Sequence, residues 1–303
     1  MALELKDLRY FVAVAEEGHV TRAAERLGME QPPLSLRIKA LERQLEVQLF
    51  IRKPRGMELT EAGRTLLACA RELLGGLEHA VHATRSAGRG EQGRLRLGIA
   101  PTAPFHPFVP RCIREFRTDY PAVVLSLSEG LSDEAKRRLI DGELDLAFVR
   151  VSDLADERLC VFVVLEEPLI AALPQAHGLA RDCRQPIRSV AALRNDVFVL
   201  FGPPGTGIYD ETMAACAAAG FSPTVAQLAP RITSTLGFVA AGMGVSLVPA
   251  SMRRVGVDGV VYRDFEASAG GKAVLGLATR RHDPSIVLKN FVACVRRLQH
   301  DAG

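Results

Sequence analysis

A change of texture near residue 93 constrains this 303-residue chain more than any other feature. Before it, apolar residues recur at helical spacing. LRYFVAVAEEG (8–18) carries Leu8, Phe11, Val12 and Ala15 on one face and stops at Gly18. Thr21 stands where an N-cap of TRAAERLG (21–28) would be, and Gly28 ends that helix. Pro32 and Pro33 open a third helix, since first-turn N–H groups have no partner to lose. LFIRKPRGMELT (49–60) reads as a small β-wing. A long helix then runs from Thr60 to about Ala83, with Leu66, Ala70, Leu73, Leu77 and Ala80 in a weak coiled-coil seam that Gly75 and Gly76 interrupt. SAGRGEQG (86–93) has the composition of a linker. After it, strands and helices alternate: RLRLGIA (94–100), FVPRCIREFRTDY (108–120), VVLSLSEG (123–130), DEAKRRLIDG (133–142) and LDLAFVR (144–150). A run of apolar strands, CVFVVLEEPLIAAL (160–173), divides the region. The alternation resumes through VFVLF (197–201), a helix over 208–219, LGFVAAG (236–242), VSLVP (245–249), KAVLGLAT (272–279) and a closing helix (285–299). Such alternation predicts an α/β fold with a largely parallel sheet, in two lobes with crossings near Glu166 and Phe265.

The first region has a particular charge pattern. Residues 1–36 carry net −2, whereas residues 37–55 carry net +4 from Arg37, Lys39, Arg43, Arg52, Lys53 and Arg55 against Glu42 and Glu46. On a helical wheel Leu34, Ile38, Leu41 and Leu45 point inward. Pro32, Ser35, Leu36, Lys39 and Arg43 then face outward, with Gln31 at the helix start. Two helices joined by a short turn, the second presenting such a face, suit the major groove of DNA, while the basic residues suit phosphates. The bland alternative is a three-helix domain with a solvated charged face.

Other chemistries are poorly supported. FGPPGTG (201–207) follows an apolar strand and precedes a helix, as a nucleotide-binding P-loop does. Ile208 and Tyr209 occupy the places of the Lys and the Ser or Thr that such a loop needs. GVSLV (244–248) lacks the second Gly of a nucleophile elbow. The seven histidines show no metal-ligand spacing, and the six cysteines contain no C-x-x-C pair, so neither metal nor cofactor is expected. Scattered thiols and a charged N-terminal MALELKDLRYF point to a reducing cytoplasm, without membrane association.

Residues 8–63 resemble the winged helix-turn-helix of the LysR-type transcriptional regulators, through LRYFVAVAEEG, TRAAERLGMEQPPLSLRIKALERQLEVQLFIR and LTEAG. GELDLAFV (142–149), EPLIAALPQAHGLA (167–180) and GFVAAGMGVSLVPAS (237–251) resemble that family's effector domain. The resemblance implies a DNA-binding domain over 1–59, a dimerising linker helix and hinge over 60–93, and an effector domain over 94–303. That domain would be built of two Rossmann-like lobes similar to periplasmic solute-binding proteins, with lobe one about 94–165 and 268–303 and lobe two about 166–267. It also implies double-stranded promoter DNA, RNA polymerase and further copies of the chain, commonly a dimer of dimers, as partners. The candidate DNA-binding residues are Thr21, Gln31, Pro32, Pro33, Ser35, Leu36, Arg37, Lys39, Arg43, Arg52 and Lys53. One departure stands at Leu36, where the family often has Arg; here Arg37 follows, on the edge of the inward stripe.

In α/β sheets, ligands bind beyond the C-terminal strand ends. IAPTAP (99–104), SEGLSDE (128–134) and FGPPGTG end three strands. Helix N-termini and hydroxyls meeting in one cleft favour a small anion such as a carboxylate. The candidate effector-binding residues are Pro101, Thr102, Ser132, Phe148, Phe201, Gly202, Pro203, Thr206 and Thr235, with Ser132 also expected to cap the next helix. Arg150 closes its strand and is read as a ligand partner or as half of a surface salt bridge. The competing reading is an α/β enzyme or solute-binding protein acting on a small anion.

Overall fold

The computed structural model describes residues 3–53, 56–151, 156–181, 185–267 and 269–301. Arg55, Cys183 and the domain boundary placed at 268 lie outside the described residues. The chain forms two compact units, Met1–Ser86 and Ala87–Gly303.

In the first unit, α1 (Leu5–Glu17), α2 (Val20–Leu27) and α3 (Gln31–Leu45) pack around Phe11, Val14, Ala23, Leu34, Ile38 and Leu41, all buried. Gly18 at φ 60° and Gly28 at φ 64° end the first two helices in the left-handed region that glycine enters without Cβ strain. Pro32 and Pro33 lie in the first turn of α3. Strands β1 (Phe50–Lys53) and β2 (Gly56–Leu59) pair antiparallel as the wing. The Thr60 hydroxyl accepts from the Gly63 N–H at the start of α4 (Glu61–Gly88). This helix outruns the expected end at Ala83. Gly75 and Gly76 remain inside it with no neighbour in the space a Cβ would take. Two exposed glycines cost about 1 kcal/mol each, too little to break a 28-residue helix.

The stretch that reads as a linker is therefore the helix end, a short turn and the start of β3 (Gln92–Ile99). Asn290 fixes the turn by donating its amide to the Arg89 carbonyl at 3.0 Å. In the second unit, β3 pairs parallel with β4 (Ala122–Glu129) and β5 (Leu146–Arg150). In this lobe, helices α5 (Phe108–Asp119) and α9 (Ile286–His300) pack around Phe116, Phe148 and Phe291, while α6 (Ser132–Ile140) packs in a separate cluster through Ala135 and Leu139 with Leu144, Ala147 and Val149. The apolar run at 160–173 is one 16-residue strand, β6 (Leu159–Pro174), rather than several. Its residues 159–168 pair with β11 (Lys272–Arg280); Leu169–Ala172 pair with β9 (Ser246–Pro249), and Ala171–Pro174 pair with β10 (Val260–Arg263). These pairings are all antiparallel, as is that of β11 with β5, so the sheet is mixed rather than largely parallel, and a single strand belongs to both lobes. The second lobe adds β7 (Val197–Phe201) parallel to β8 (Thr224–Ala229), with α7 (Gly207–Ala218) and α8 (Ile232–Ala240). Sequence reading names neither β8 nor β10. β8 is almost wholly exposed and β10 is four residues long, so neither shows an apolar period.

Candidate functional site

On the first unit, α3 carries its apolar stripe inward and leaves Gln31, Pro32, Pro33, Leu36, Arg37, Lys39 and Arg43 exposed. Leu36 is 65% exposed, the largest such value among the large hydrophobic residues described. Thr21, Gln31, Ser35 and Lys39 share a groove of about 710 Å³ with Arg52 and Lys53 of the wing. Pro32, Pro33, Leu36, Arg37 and Arg43 lie outside its lining. Arg37 turns back to Asp7 of α1 at 3.5 Å, and the Arg43 Nε donates to the Lys39 carbonyl of its own helix. Lys53 meets Glu58 across the wing at 3.4 Å. Among the described residues neither Lys39 nor Arg52 forms an ion pair, so their charge is open to a polyanion. Thr21 is not the cap of α2. That position is His19, whose Nδ1 accepts from the Thr21 N–H at 3.3 Å.

In the second unit, the ends of β3, β5 and β7 and the starts of α6 and α7 converge. Pro101, Thr102, Leu131, Ser132, Arg150, Phe201, Thr206 and Gly207 surround one cavity of about 10 Å³. Arg150 is only 2% exposed, which corrects the surface-salt-bridge reading. Its Nε donates to the Thr102 hydroxyl at 2.9 Å and its Nη2 to Glu167 at 3.0 Å. Glu167 also accepts from the Ser251 N–H at 2.7 Å and the Ser251 hydroxyl at 3.1 Å. The ion pair is buried yet multiply bonded, the condition under which such a pair is tolerated. The Arg150 Nη1 has no partner among the described residues.

Several expectations change. Ser132 does not cap α6; it is the first helical residue, and its hydroxyl accepts the Arg150 backbone N–H at 3.0 Å. Phe148 packs against Phe291 inside its lobe and does not line the cavity. Thr235 is buried in α8, donating to the Arg231 carbonyl. Gly202 and Pro203 shape the loop rather than the wall. Gly202 has φ 75°, and a Cβ there would stand 2.6 Å from the Thr206 Oγ1. That hydroxyl donates to the Pro203 carbonyl at 2.6 Å. At the P-loop lysine position, Ile208 is buried against the second lobe's core.

Sequence reasoning misses Glu167, Ser251 and Glu211, since nothing local marks them. Glu211, one turn along α7 from Gly207, accepts the Val274 N–H of β11 at 2.8 Å, and its second oxygen has no partner among the described residues. Burial pushes its carboxyl up to about 7; Glu167 adds to the rise, while the Val274 N–H and Arg150 oppose it. Burial also lowers the His106 imidazole, against the attraction of Glu167. No group of three or more potential metal ligands occurs among the described residues. No helix among them is long and apolar enough to cross a membrane.

A winged helix-turn-helix on one unit and a two-lobed α/β unit with a cavity between its strand ends define a DNA-binding regulator that carries its own ligand-binding domain. Residues 5–64 match the bacterial regulatory helix-turn-helix protein, lysR family, and residues 88–299 match the LysR substrate binding domain. The chain belongs to the LysR family of transcriptional regulators. It is 37% identical to the uncharacterized HTH-type transcriptional regulator YnfL of Escherichia coli K12, over 96% of this chain and 97% of that one. Its structure is similar to that of CbnR, a LysR family transcriptional regulator, with a TM-score of 0.86 and 29% identity over 97% of this chain and 100% of that one. Full-length CbnR complexed with its target DNA gives 0.82 and 29% identity, covering 98% and 100%.

Proposed function

We propose that this regulator binds promoter DNA through α3 and the wing, and that a small carboxylate entering between the two lobes switches its activity. The observation that carries the effector reading is the buried Arg150, with one unpartnered N–H pair beside a cavity where the starts of α6 and α7 converge. Helix N-termini favour an anion because their first N–H groups are free and the helix dipole is positive there. Glu167 already balances the Arg150 charge, so the site offers directed donors more than net attraction.

A cavity of about 10 Å³ holds at most one water. An effector must therefore move the lobes apart or repack the loops as it enters, so binding and conformational change are one event. An effector that prefers one arrangement shifts the population toward it, typically with about 1–3 kcal/mol of coupling. On α4, Leu73 and Val81 are exposed, in keeping with a second copy along this helix, and we extend the proposal to a dimer of dimers that acts on RNA polymerase in the cytoplasm.

The test begins with fluorescence anisotropy of the DNA upstream of the chain's own gene against scrambled DNA, across a salt series. A panel of small aromatic and dicarboxylic acids then follows. Thr102→Ala and Ser132→Ala should blunt the response to the active acid while DNA affinity stays within about twofold, as expected for changes in a unit other than the one that binds DNA. Equal loss of response and DNA binding would reject this pocket.

A further inference from the structure

The turn between α1 and α2 holds a side chain with two roles. Gly18 donates its N–H to the Val14 carbonyl, and its own carbonyl accepts the Met57 N–H of β2 at 2.8 Å. A Cβ at Gly56 would stand 2.5 Å from the Gly18 oxygen, so the wing and this turn meet backbone to backbone here. His19 comes next. Its carbonyl accepts the Ala23 N–H at 3.0 Å, and its Nδ1 accepts the Thr21 N–H at 3.3 Å. A ring whose Nδ1 accepts carries its proton on Nε2. The Nε2–H makes no hydrogen bond with any described residue. His19 is half-buried and lines the groove that also holds Gln31, Ser35, Lys39 and Arg52.

We propose that His19 is a DNA-backbone ligand, donating its Nε2–H to a phosphate oxygen of the bound duplex while its Nδ1 caps α2. The cap fixes the tautomer and the ring, the turn fixes the cap, and the wing fixes the turn. A donor held this way loses little freedom on binding. The groove also holds Lys39 and Arg52, cations without ion pairs among the described residues, which suit a run of phosphates. Unlike Lys39, a neutral imidazole adds a hydrogen bond without displacing a counterion. It should therefore strengthen binding without steepening the salt dependence. The inference rests on the DNA-binding unit and is independent of the effector pocket.

The test compares full-length H19S and H19N with the parent on two duplexes of equal length, the DNA upstream of its own gene and a scrambled version. Each is titrated at several salt concentrations, and melting temperatures are measured in parallel. Ser and Asn both cap helices well, so melting temperature should hold. Both variants should bind both duplexes about tenfold more weakly, the size of a charge-assisted hydrogen bond, with the salt slope unchanged. In the same series K39A should lower the slope by about one. Unchanged affinity overturns the proposal. A fall in melting temperature that accompanies the weaker binding in both variants reduces His19 to a cap. A loss confined to the upstream duplex makes it a base reader instead, and overturns the backbone assignment.

Discussion

The two binding regions treat charge in opposite ways. The groove of the first unit is open, about 710 Å³, and its Lys39 and Arg52 form no ion pairs among the described residues. The candidate interlobe site is small, about 10 Å³, and its arginine is tied to Thr102 and Glu167. A rigid polyanion needs no pocket: its phosphates come to exposed cations, and the released counterions supply the driving force. A small anion must be desolvated, so its site has to place donors in advance and neutralise them while it waits. The first region therefore tolerates single changes, whereas the second should respond to them strongly.

The largest effect should come from Glu167→Ala. It leaves the Arg150 guanidinium buried without its counter-charge, and loss of one partner of a buried pair costs about 3–5 kcal/mol. In a unit of this size that is a drop in melting temperature of about 10 °C, readable by calorimetry. A drop of only a degree or two would show that water reaches Arg150 freely, and the contrast between the two sites would fade.

Gly207→Ala should come next. The added Cβ would lie 2.2 Å from the Arg150 Cβ, so the start of α7 must lift away from β5. Overpacking of this kind costs about 1–3 kcal/mol by urea unfolding. It should also change the proposed effector response, because Gly207 and Arg150 both line the cavity.

A pH titration sharpens the comparison further. The Glu211 carboxyl rises to about 7 in the folded state from its ordinary 4.5, so the folded chain holds a proton that the unfolded chain has released. Its contribution is fully present below the unfolded value and is lost as pH rises from about 4.5 through 7. Glu211→Gln should flatten that decline; a stability profile with the same slope in both proteins would mean that Glu211 titrates normally. The smallest effect belongs to the open groove. Lys39→Ala should weaken DNA binding by only a few-fold and lower the salt slope by about one. Unchanged binding at every salt would remove Lys39 from the interface.

How far sequence reading reached follows from the same contrast. The α3 face was legible because a helix with a 3.6-residue period exposes the residues its apolar stripe leaves out: Leu34, Ile38 and Leu41 are buried, and Lys39 and Leu36 exposed, as the wheel requires. The loops holding Thr102, Ser132 and Thr206 were legible because strand ends in α/β sheets gather on one edge. Phe148 and Thr235 were misplaced, since each turns into its own lobe's interior, and no local pattern says which side of a strand or helix the other lobe will occupy. Arg37, read as a candidate DNA contact, also reaches a carboxylate on α1 thirty positions earlier, a pairing that no local pattern marks.

By itself, then, the sequence determined the helices of the first unit, the glycine stops at 18 and 28, the wing and the switch from bundle to alternating strands and helices, because each rests on neighbours along the chain. Only the tertiary structure decided that β6 serves both lobes, that Arg150 is buried, and that Glu167, Ser251 and Glu211 stand around it. Those contacts join residues up to 84 positions apart. A long-range pair leaves no period or spacing in the sequence, because its energy depends on burial and distance, which exist only once the chain has folded.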